Sequence, residues 1–407
     1  MKTIISGDWH LNLANRWYDF TSTVTQLVKK VIEIRPKYFV FCGDGFLNCH
    51  PLPIEMALFR RAILEISESG IVVILVIGNH DVAESETFQG RHALFEFKDW
   101  GIHNEGRDNI ILIDTPETMI DFSDKLSAII IPHLPKASIE VSYAETYKKV
   151  LSEMVVMVPK GKKIALFTHA YIAEAVLGAN DLTVNTKNAV PKSVIEDAGV
   201  HIAFVSDIHR AQKIGEKIYL PGSIERVDFG EAGDIKGMIC YDDVSGEVEF
   251  IELDSRKLEQ VIIDLVNPGF IKMAVNDEGV PDGPKAEPVL DPYEYIMGML
   301  AEFKMIERLK DAIVKIRVVC TKEQKFKMDI CEEKIKAYLL DSIKINALKS
   351  FTYEIVDNVS VRCAEVNESL SPANALLKWV EMGKENAYKE ETKQRIILEG
   401  NRIIKSY

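Results

Sequence analysis

The chain has 407 residues, 47% of them apolar and 27% charged, with a formal net charge of −13. That length calls for two or three domains, and the balance of apolar and charged residues excludes a disordered, fibrous or membrane-embedded class. No apolar run approaches the roughly 20 residues of a membrane span, and phosphate contacts normally come from Lys and Arg, so the acidic balance alone lends no support to nucleic-acid binding.

Bound divalent cations would change that, because they invert the field of a carboxylate-rich site. The six cysteines, at 42, 49, 240, 320, 331 and 363, include no C-x-x-C pair. Reduced thiols in the cytosol are the expectation. The Met1 start runs directly into a strand, with no signal-peptide architecture.

Residues 1 to about 255 predict an α/β layer. β-branched and apolar runs at Thr3–Ile5, Tyr38–Phe41, Ile71–Ile77, Ile164–Phe167 and Ile202–Val205 read as strands, alternating with helical stretches at Phe20–Ile34, Ile54–Ser69 and Ala144–Val155. Ile110–Ile113, Ala128–Ile131 and Lys217–Leu220 add further strands, and a long polar loop spans about Ala173–Val190. Gly237–Tyr241 and Glu247–Leu253 flank Ser245-Gly246 and read as a hairpin.

From about 256 to 365 the pattern is that of a separate α+β module. A strand at Gln260–Leu265 precedes a Gly/Pro-rich stretch, Asn276–Pro292, in which Asp291 caps a helix with Pro292 at its first position. A strand at Ile313–Cys320, a charged helix near Lys325–Leu339 and a strand at Ser350–Val356 follow. The tail, about 366–407, predicts two amphipathic helices, the first started by Ser371-Pro372 and stopped near Gly383. Such short helices must dock on the chain or on a partner.

The strand ends carry the chemistry. Gly7-Asp8-Trp9-His10 follows the first run, Gly43-Asp44 the second and Gly78-Asn79-His80-Asp81 the third; Thr168-His169 and Ser206-Asp207-Ile208-His209 close the fourth and fifth. In an open α/β sheet that edge is where sites are built. Residues i and i+2 of an extended backbone point the same way, so Asp8 and His10 can converge on one ion. Asp44 can bridge two ions, and Asn79 offers a neutral oxygen. His169, Asp207 and His209 complete a set of oxygen and imidazole donors without thiolates, which suits a hard or borderline divalent metal such as manganese. Two ions about 3.5–4 Å apart stabilise both the attacking and the leaving oxygen of a phosphodiester. His80 is left to contact the phosphate or protonate the leaving oxygen. Each motif alone also has a structural reading: Asp-x-His or Gly-Asp as a turn or cap, His169 as a core histidine. The histidines at 50, 92, 103, 133 and 201 read as surface or core.

The ordered set Asp8-x-His10, Gly43-Asp44, Gly78-Asn79-His80-Asp81, His169 and x-x-Ile208-His209 resembles the calcineurin-like metallophosphoesterase superfamily. Within it, the stretch from Tyr219 to Glu231, Tyr-Leu-Pro-Gly-Ser-Ile-Glu-Arg-Val-Asp-Phe-Gly-Glu, looks like the SbcD nuclease family, the bacterial counterpart of the meiotic-recombination-eleven nuclease. The resemblance implies an α/β fold: a metallophosphoesterase β-sandwich flanked by helices, a small α+β capping domain and a C-terminal helical segment. The corresponding division is 1–255 for the nuclease, 256–365 for DNA capping and 366–407 for binding an ATPase partner.

The same resemblance implies an exonuclease and endonuclease that processes DNA ends in double-strand break repair or recombination, in the cytoplasm beside the nucleoid. It implies two Mn2+ ions (Mg2+ as second choice), a homodimer, and a coiled-coil ABC ATPase of the SbcC kind as partner. Carried over by position, one ion takes Asp8, His10, Asp44 and His209; the other takes Asp44, Asn79, His169 and position 207, with His80 as the catalytic histidine. Two positions depart from the family. Asp207 stands where the family has a histidine, and Leu47 stands where many relatives have another. Two alternatives follow: a DNA-end-binding scaffold with weakened catalysis, or a phosphodiesterase of small nucleotides.

Overall fold

Successive side chains of a strand point to opposite faces, and strands apolar at almost every position need cover on both. Strand β1 (Lys2–Ser6) sends Ile4 to one side and Ile5 to the other. In β2 (Tyr38–Cys42), Phe39 and Phe41 share a face with Ile4, while Tyr38, Val40 and Cys42 join Ile5. In β3 (Val72–Val76), Val73 and Leu75 oppose Ile74 and Val76 in the same way. A computed structural model of the chain describes residues 1–82, 93–98, 109–115, 118–135, 141–177, 189–266 and 291–356, with the short pieces 139, 182–183, 271–273 and 289.

Two six-stranded sheets result. The first runs Val248–Glu252, Gly237–Asp242, β1, β2, β3, Ile110–Ile113, parallel from β1 onward and antiparallel on the hairpin side. The second runs Gln212–Ile214, Ile218–Leu220, Ile202–Ser206, Lys163–His169, Leu126–Ile131, Thr118–Ser123, with a parallel centre. Their inner faces meet through aromatic pairs: Tyr38 stacks on Phe122 at 4.0 Å and Phe204 meets Tyr241 at 5.4 Å. Helices α1 (Leu13–Ile34) and α2 (Pro53–Glu68) cover the first sheet through Val24, Leu27, Val31, Phe59, Ile63 and Ile66. Helices Tyr143–Met157 and Lys192–Asp197 cover the second through Tyr147, Leu151 and Ile195. The layers are α/β/β/α, the expected helix-flanked β-sandwich.

Details differ where long-range partners decide. The Phe20–Ile34 helix is extended toward the N-terminus by a short turn from Leu13, set off by a kink at Arg16 (φ −141°, ψ 35°); Glu55 of α2 accepts the Leu13 N–H at 2.9 Å and does the capping that Asn12 does not. Thr118–Ser123 is an added edge strand of the second sheet. The polar loop contains a small pair, Val176–Leu177 with Leu182–Thr183.

A third sheet runs Ile271–Met273, Leu258–Asp264, Ile313–Cys320, Ala347–Ile355, with its own apolar cluster. Asp291 caps Pro292–Leu300 as the sequence predicts, accepting from the N–H groups of Tyr293 and Glu294. The charged helix is instead three pieces, Lys322–Asp329, Glu332–Ala337 and a π turn at Tyr338–Ile343. Ile335, Leu339 and Ile343 repeat every fourth residue, a spacing that drifts around a helix of about 3.6 residues per turn. The wider π turn keeps Ile343 buried with the others. Arg256 joins this module to α1, donating from Nε to Asp19 Oδ1 at 2.8 Å and from Nη1 to the Asp311 carbonyl at 2.9 Å. Most of the Gly/Pro-rich stretch and all of the 366–407 tail lie outside the described residues. Among those described, no helix is long and apolar enough to cross a membrane.

Candidate metal centre

The site grows out of backbone turns that continue the β1–β2 ladder past the strands. Asp8 N–H donates to the Gly43 carbonyl at 2.9 Å, His10 N–H to Asp44 O at 3.0 Å and Leu11 N–H to Gly45 O at 3.1 Å. Asp8, His10, Asp44 and Asp207 have φ of 50°, 43°, 59° and 111°, a region L residues avoid. The other described non-glycine residues at positive φ, Arg35, Asp311 and Lys344, sit at helix ends or in a turn. Strain of about 1–3 kcal/mol per residue survives where function holds it in place. Gly78 allows the third turn to touch the second: a Cβ there would lie 2.1 Å from Asp44 Oδ1.

Asp81 binds these two turns together. Fully buried, it accepts at Oδ2 from the N–H groups of Asp44 (2.9 Å) and Gly78 (3.0 Å), and at Oδ1 from Gly45 (3.0 Å).

All eight residues singled out in the sequence meet here, with Asp44 at the centre. Its Oδ2 lies 3.5 Å from His10 Nε2 and 3.5 Å from His169 Nε2, and its Oδ1 accepts the His80 N–H at 2.9 Å. Donor atoms of His10, Asp44 and His80 lie within 4.8 Å of one another, as do those of Asp8, Asp44 and His169. Asp44 belongs to both groups, as a bridging carboxylate must. The distances put Asp8 beside His169, with Oδ1 4.0 Å from Nδ1, and bring His80 into the group of His10. Asp207 places Oδ1 3.6 Å from His169 Nε2, and its N–H donates to Asp8 at 3.1 and 3.2 Å. His209 Nε2 faces His10 Nε2 at 2.8 Å. The Asn79 amide lies 2.7 Å from His169 Nε2: its oxygen accepts from the ring when the ring is protonated, and with its nitrogen inward it donates to a neutral ring and to Asp44 and Asp207. A cation would select the oxygen-inward rotamer.

Ring orientations are set from behind. His169 Nδ1 lies 2.8 Å from the Cys42 carbonyl and His80 Nδ1 2.7 Å from that of Leu47. A carbonyl only accepts, so both rings keep a proton on Nδ1 and turn Nε2 inward. Burial pushes the Asp8 carboxyl up to about 7 against the pull of His169, and burial lowers His10 to about 3, a neutral ring. Burial acts to raise Asp44 as well, but His169 and His10 hold it low. Burial likewise opposes a charge on His169, yet Asp44 and Asp207 raise it well above the usual imidazole value.

Among the described residues, the partners of the Asp8 and Asp44 carboxylates are imidazoles, backbone N–H groups and the Asn79 amide, with no Lys or Arg. Two buried carboxylates balanced by protons, beside inward imidazole nitrogens and an amide, form the donor chemistry of a hard or borderline divalent ion. Such an ion displaces those protons on binding. The residues fit a dimetal site.

Four residues beyond the eight stand close to the site. Asp81 stood in view within Gly78-Asn79-His80-Asp81, but its three backbone bonds are tertiary. Glu231 accepts from His209 Nδ1 at 2.7 Å, and buried Lys236 holds Glu231 at 2.6 Å; Lys236 has no local signal. His133 packs its ring 6.4 Å from that of His169. His50 is exposed and contributes to neither donor group, and the Leu47 main chain supplies the contact to His80.

Residues 1–170 match the family model for the calcineurin-like phosphoesterase. The DNA double-strand break repair protein Mre11 of Methanococcus maripaludis is 30% identical over 91 residues, which take in 21% of this chain and 24% of that protein. The chain thus matches well under two thirds of that relative's length. A dimetal phosphatase of Danio rerio aligns with 63% of this chain and 97% of its own, at 9% identity and a TM-score of 0.38. The matched family model and the sandwich with donor groups sharing Asp44 support a calcineurin-like metallophosphoesterase, a hydrolase whose fold implies a dimetal site.

Proposed function

We propose that the chain is a manganese-dependent DNA nuclease of the SbcD and meiotic-recombination-eleven type, hydrolysing phosphodiesters at DNA ends. The observation that carries this is Asp44, common to both donor groups. The 219–231 stretch and the partial likeness to a DNA repair protein direct the reading toward DNA. In the proposed division, 1–255 is catalytic, 256–365 caps DNA, and 366–407 binds a coiled-coil ATPase of the SbcC kind; the working unit is a homodimer.

A bound pair of divalent ions supplies Lewis-acid polarisation of the phosphoryl oxygens and lowers the pKa of water. Asp8, His10, Asp44, Asn79, His169, Asp207 and His209 would hold that pair. His80, its Nδ1–H fixed on the Leu47 carbonyl, presents Nε2 to the phosphate and, when protonated, gives a proton to the leaving oxygen. Asp81 keeps Asp44 and Asn79 in register during this chemistry.

Purified protein with Mn2+ is expected to degrade linear double-stranded DNA. His80→Ala or Asn79→Ala should reduce the rate by about 100-fold or more. Hydrolysis of small phosphodiesters with DNA left intact refutes the nuclease reading and favours the small-nucleotide enzyme.

Asp207 favours one second reading, a DNA-end-binding scaffold with weakened catalysis, since a carboxylate reaches less far than the imidazole of the family. A large gain of cleavage in Asp207→His supports it, and robust cleavage by the unaltered chain rejects it.

A further inference from the structure

We propose that Lys236 is a positioning residue for the metal centre, and that the stretch from Gly222 to Glu231 serves with it as a clamp on His209. Lys236 is fully buried. An ammonium has three N–H donors, and here each finds an acceptor: Glu231 Oε2 at 2.6 Å, Ser223 Oγ at 2.9 Å and the His209 carbonyl at 3.0 Å. The other oxygen of the same carboxylate, Glu231 Oε1, accepts from His209 Nδ1 at 2.7 Å. One lysine therefore holds His209 at both ends, directly through its backbone carbonyl and through Glu231 at its ring.

The surrounding chain is shaped to this contact. Ser223 N–H also donates to the His209 carbonyl, at 3.0 Å. Gly222, at φ +71°, lies so close that a Cβ would stand 2.6 Å from His209 O and 2.7 Å from Ala211 N. A buried ammonium is costly to desolvate unless fully paired, and an apolar residue of similar length would fill the space without that cost. What the ammonium adds is geometry. It fixes the carboxylate that keeps a proton on His209 Nδ1, so that Nε2 is the nitrogen turned toward His10. The 219–231 stretch thereby gains a mechanical role: it places one imidazole nitrogen at the rim where the others converge.

This rests on His209 being a metal ligand. The test is Mn2+ binding to the full chain, followed by titration calorimetry and by the electron-paramagnetic-resonance signal of free Mn2+, neither of which needs turnover. In Lys236→Met, one of two bound Mn2+ is expected to weaken by about 10- to 100-fold while the other keeps its affinity; general loosening of the fold would weaken both. Glu231→Gln, which can keep its oxygen toward Nδ1 only by setting its NH2 group against the Lys236 ammonium, should show a selective loss at the same ion, and it carries the test if Lys236→Met does not fold. Wild-type affinity at both sites in the folded variants overturns the clamp, as does equal weakening of both. Unaltered protein that binds no Mn2+ refutes instead the metal-centre reading beneath it.

Discussion

Replacing Asp81 by alanine withdraws three hydrogen-bond acceptors from the junction of the second and third turns. The Asp44 and Gly78 N–H groups lose Oδ2 and the Gly45 N–H loses Oδ1, all of them buried. An unsatisfied buried donor costs about 1–3 kcal/mol, and a water entering the space left by the carboxylate recovers part of the sum. The expected loss is about 3–5 kcal/mol. Asp81→Asn is milder for a geometric reason. Its amide oxygen can occupy the Oδ2 position and keep two bonds, leaving the NH2 group against the Gly45 N–H, a cost of about 1–3 kcal/mol. The assay is urea unfolding of the metal-free chain at about pH 8, followed by tryptophan fluorescence, to which Trp9 contributes from a fully buried place beside Phe41 and Phe59. That pH is chosen because burial and the neighbouring Asp44 push Asp81 up to about 7, and above it the group is purely an acceptor. Because Asp44 serves both donor groups, the alanine variant should also bind both Mn2+ ions more weakly. Asparagine as damaging as alanine, or both within about 0.5 kcal/mol of the unaltered protein, would refute the reasoning.

Proton linkage gives a second prediction. Burial raises Asp8 to about 7, so below that pH the metal-free chain holds a proton there that Mn2+ must displace, and His169, raised further by Asp44 and Asp207, holds another. Mn2+ affinity should therefore fall as pH drops below about 7, by at least about tenfold per unit, with binding heats that depend on the ionisation enthalpy of the buffer; an affinity flat across that range removes Asp8 from the ligand set. A third prediction compares two glycines of similar backbone. Gly222→Ala adds a Cβ 2.6 Å from the His209 carbonyl at φ +71°, whereas Gly246→Ala, at φ +77°, meets nothing within 4 Å. The second should cost about 1 kcal/mol, as a left-handed residue does, and the first clearly more, measured as the difference in Tm. Equal losses would mean that the backbone there can move away from His209.

The amino-acid sequence by itself determined the strands and the ends on which the chemistry sits. Runs such as Tyr38–Phe41 and Ile202–Val205 are apolar and β-branched on both faces, and they stop at glycine, aspartate or histidine, so the donor residues follow from local pattern alone. The cap at Asp291 was equally local. What the pattern could not contain are relations between distant residues. Glu55 capping α1, Asp81 gathering three N–H groups, and Lys236 reaching Glu231, Ser223 and His209 all depend on which segments pack together. The division into two sheets, with the Gly237–Asp242 strand laid antiparallel beside β1, is likewise decided by burial across the whole chain. Tertiary packing alone brought His10 and His209, separated by nearly the whole first two sheets, to 2.8 Å. The physical reason is that periodicity records which face of an element is buried, whereas a buried polar group is satisfied by whatever partner the finished fold sets opposite it.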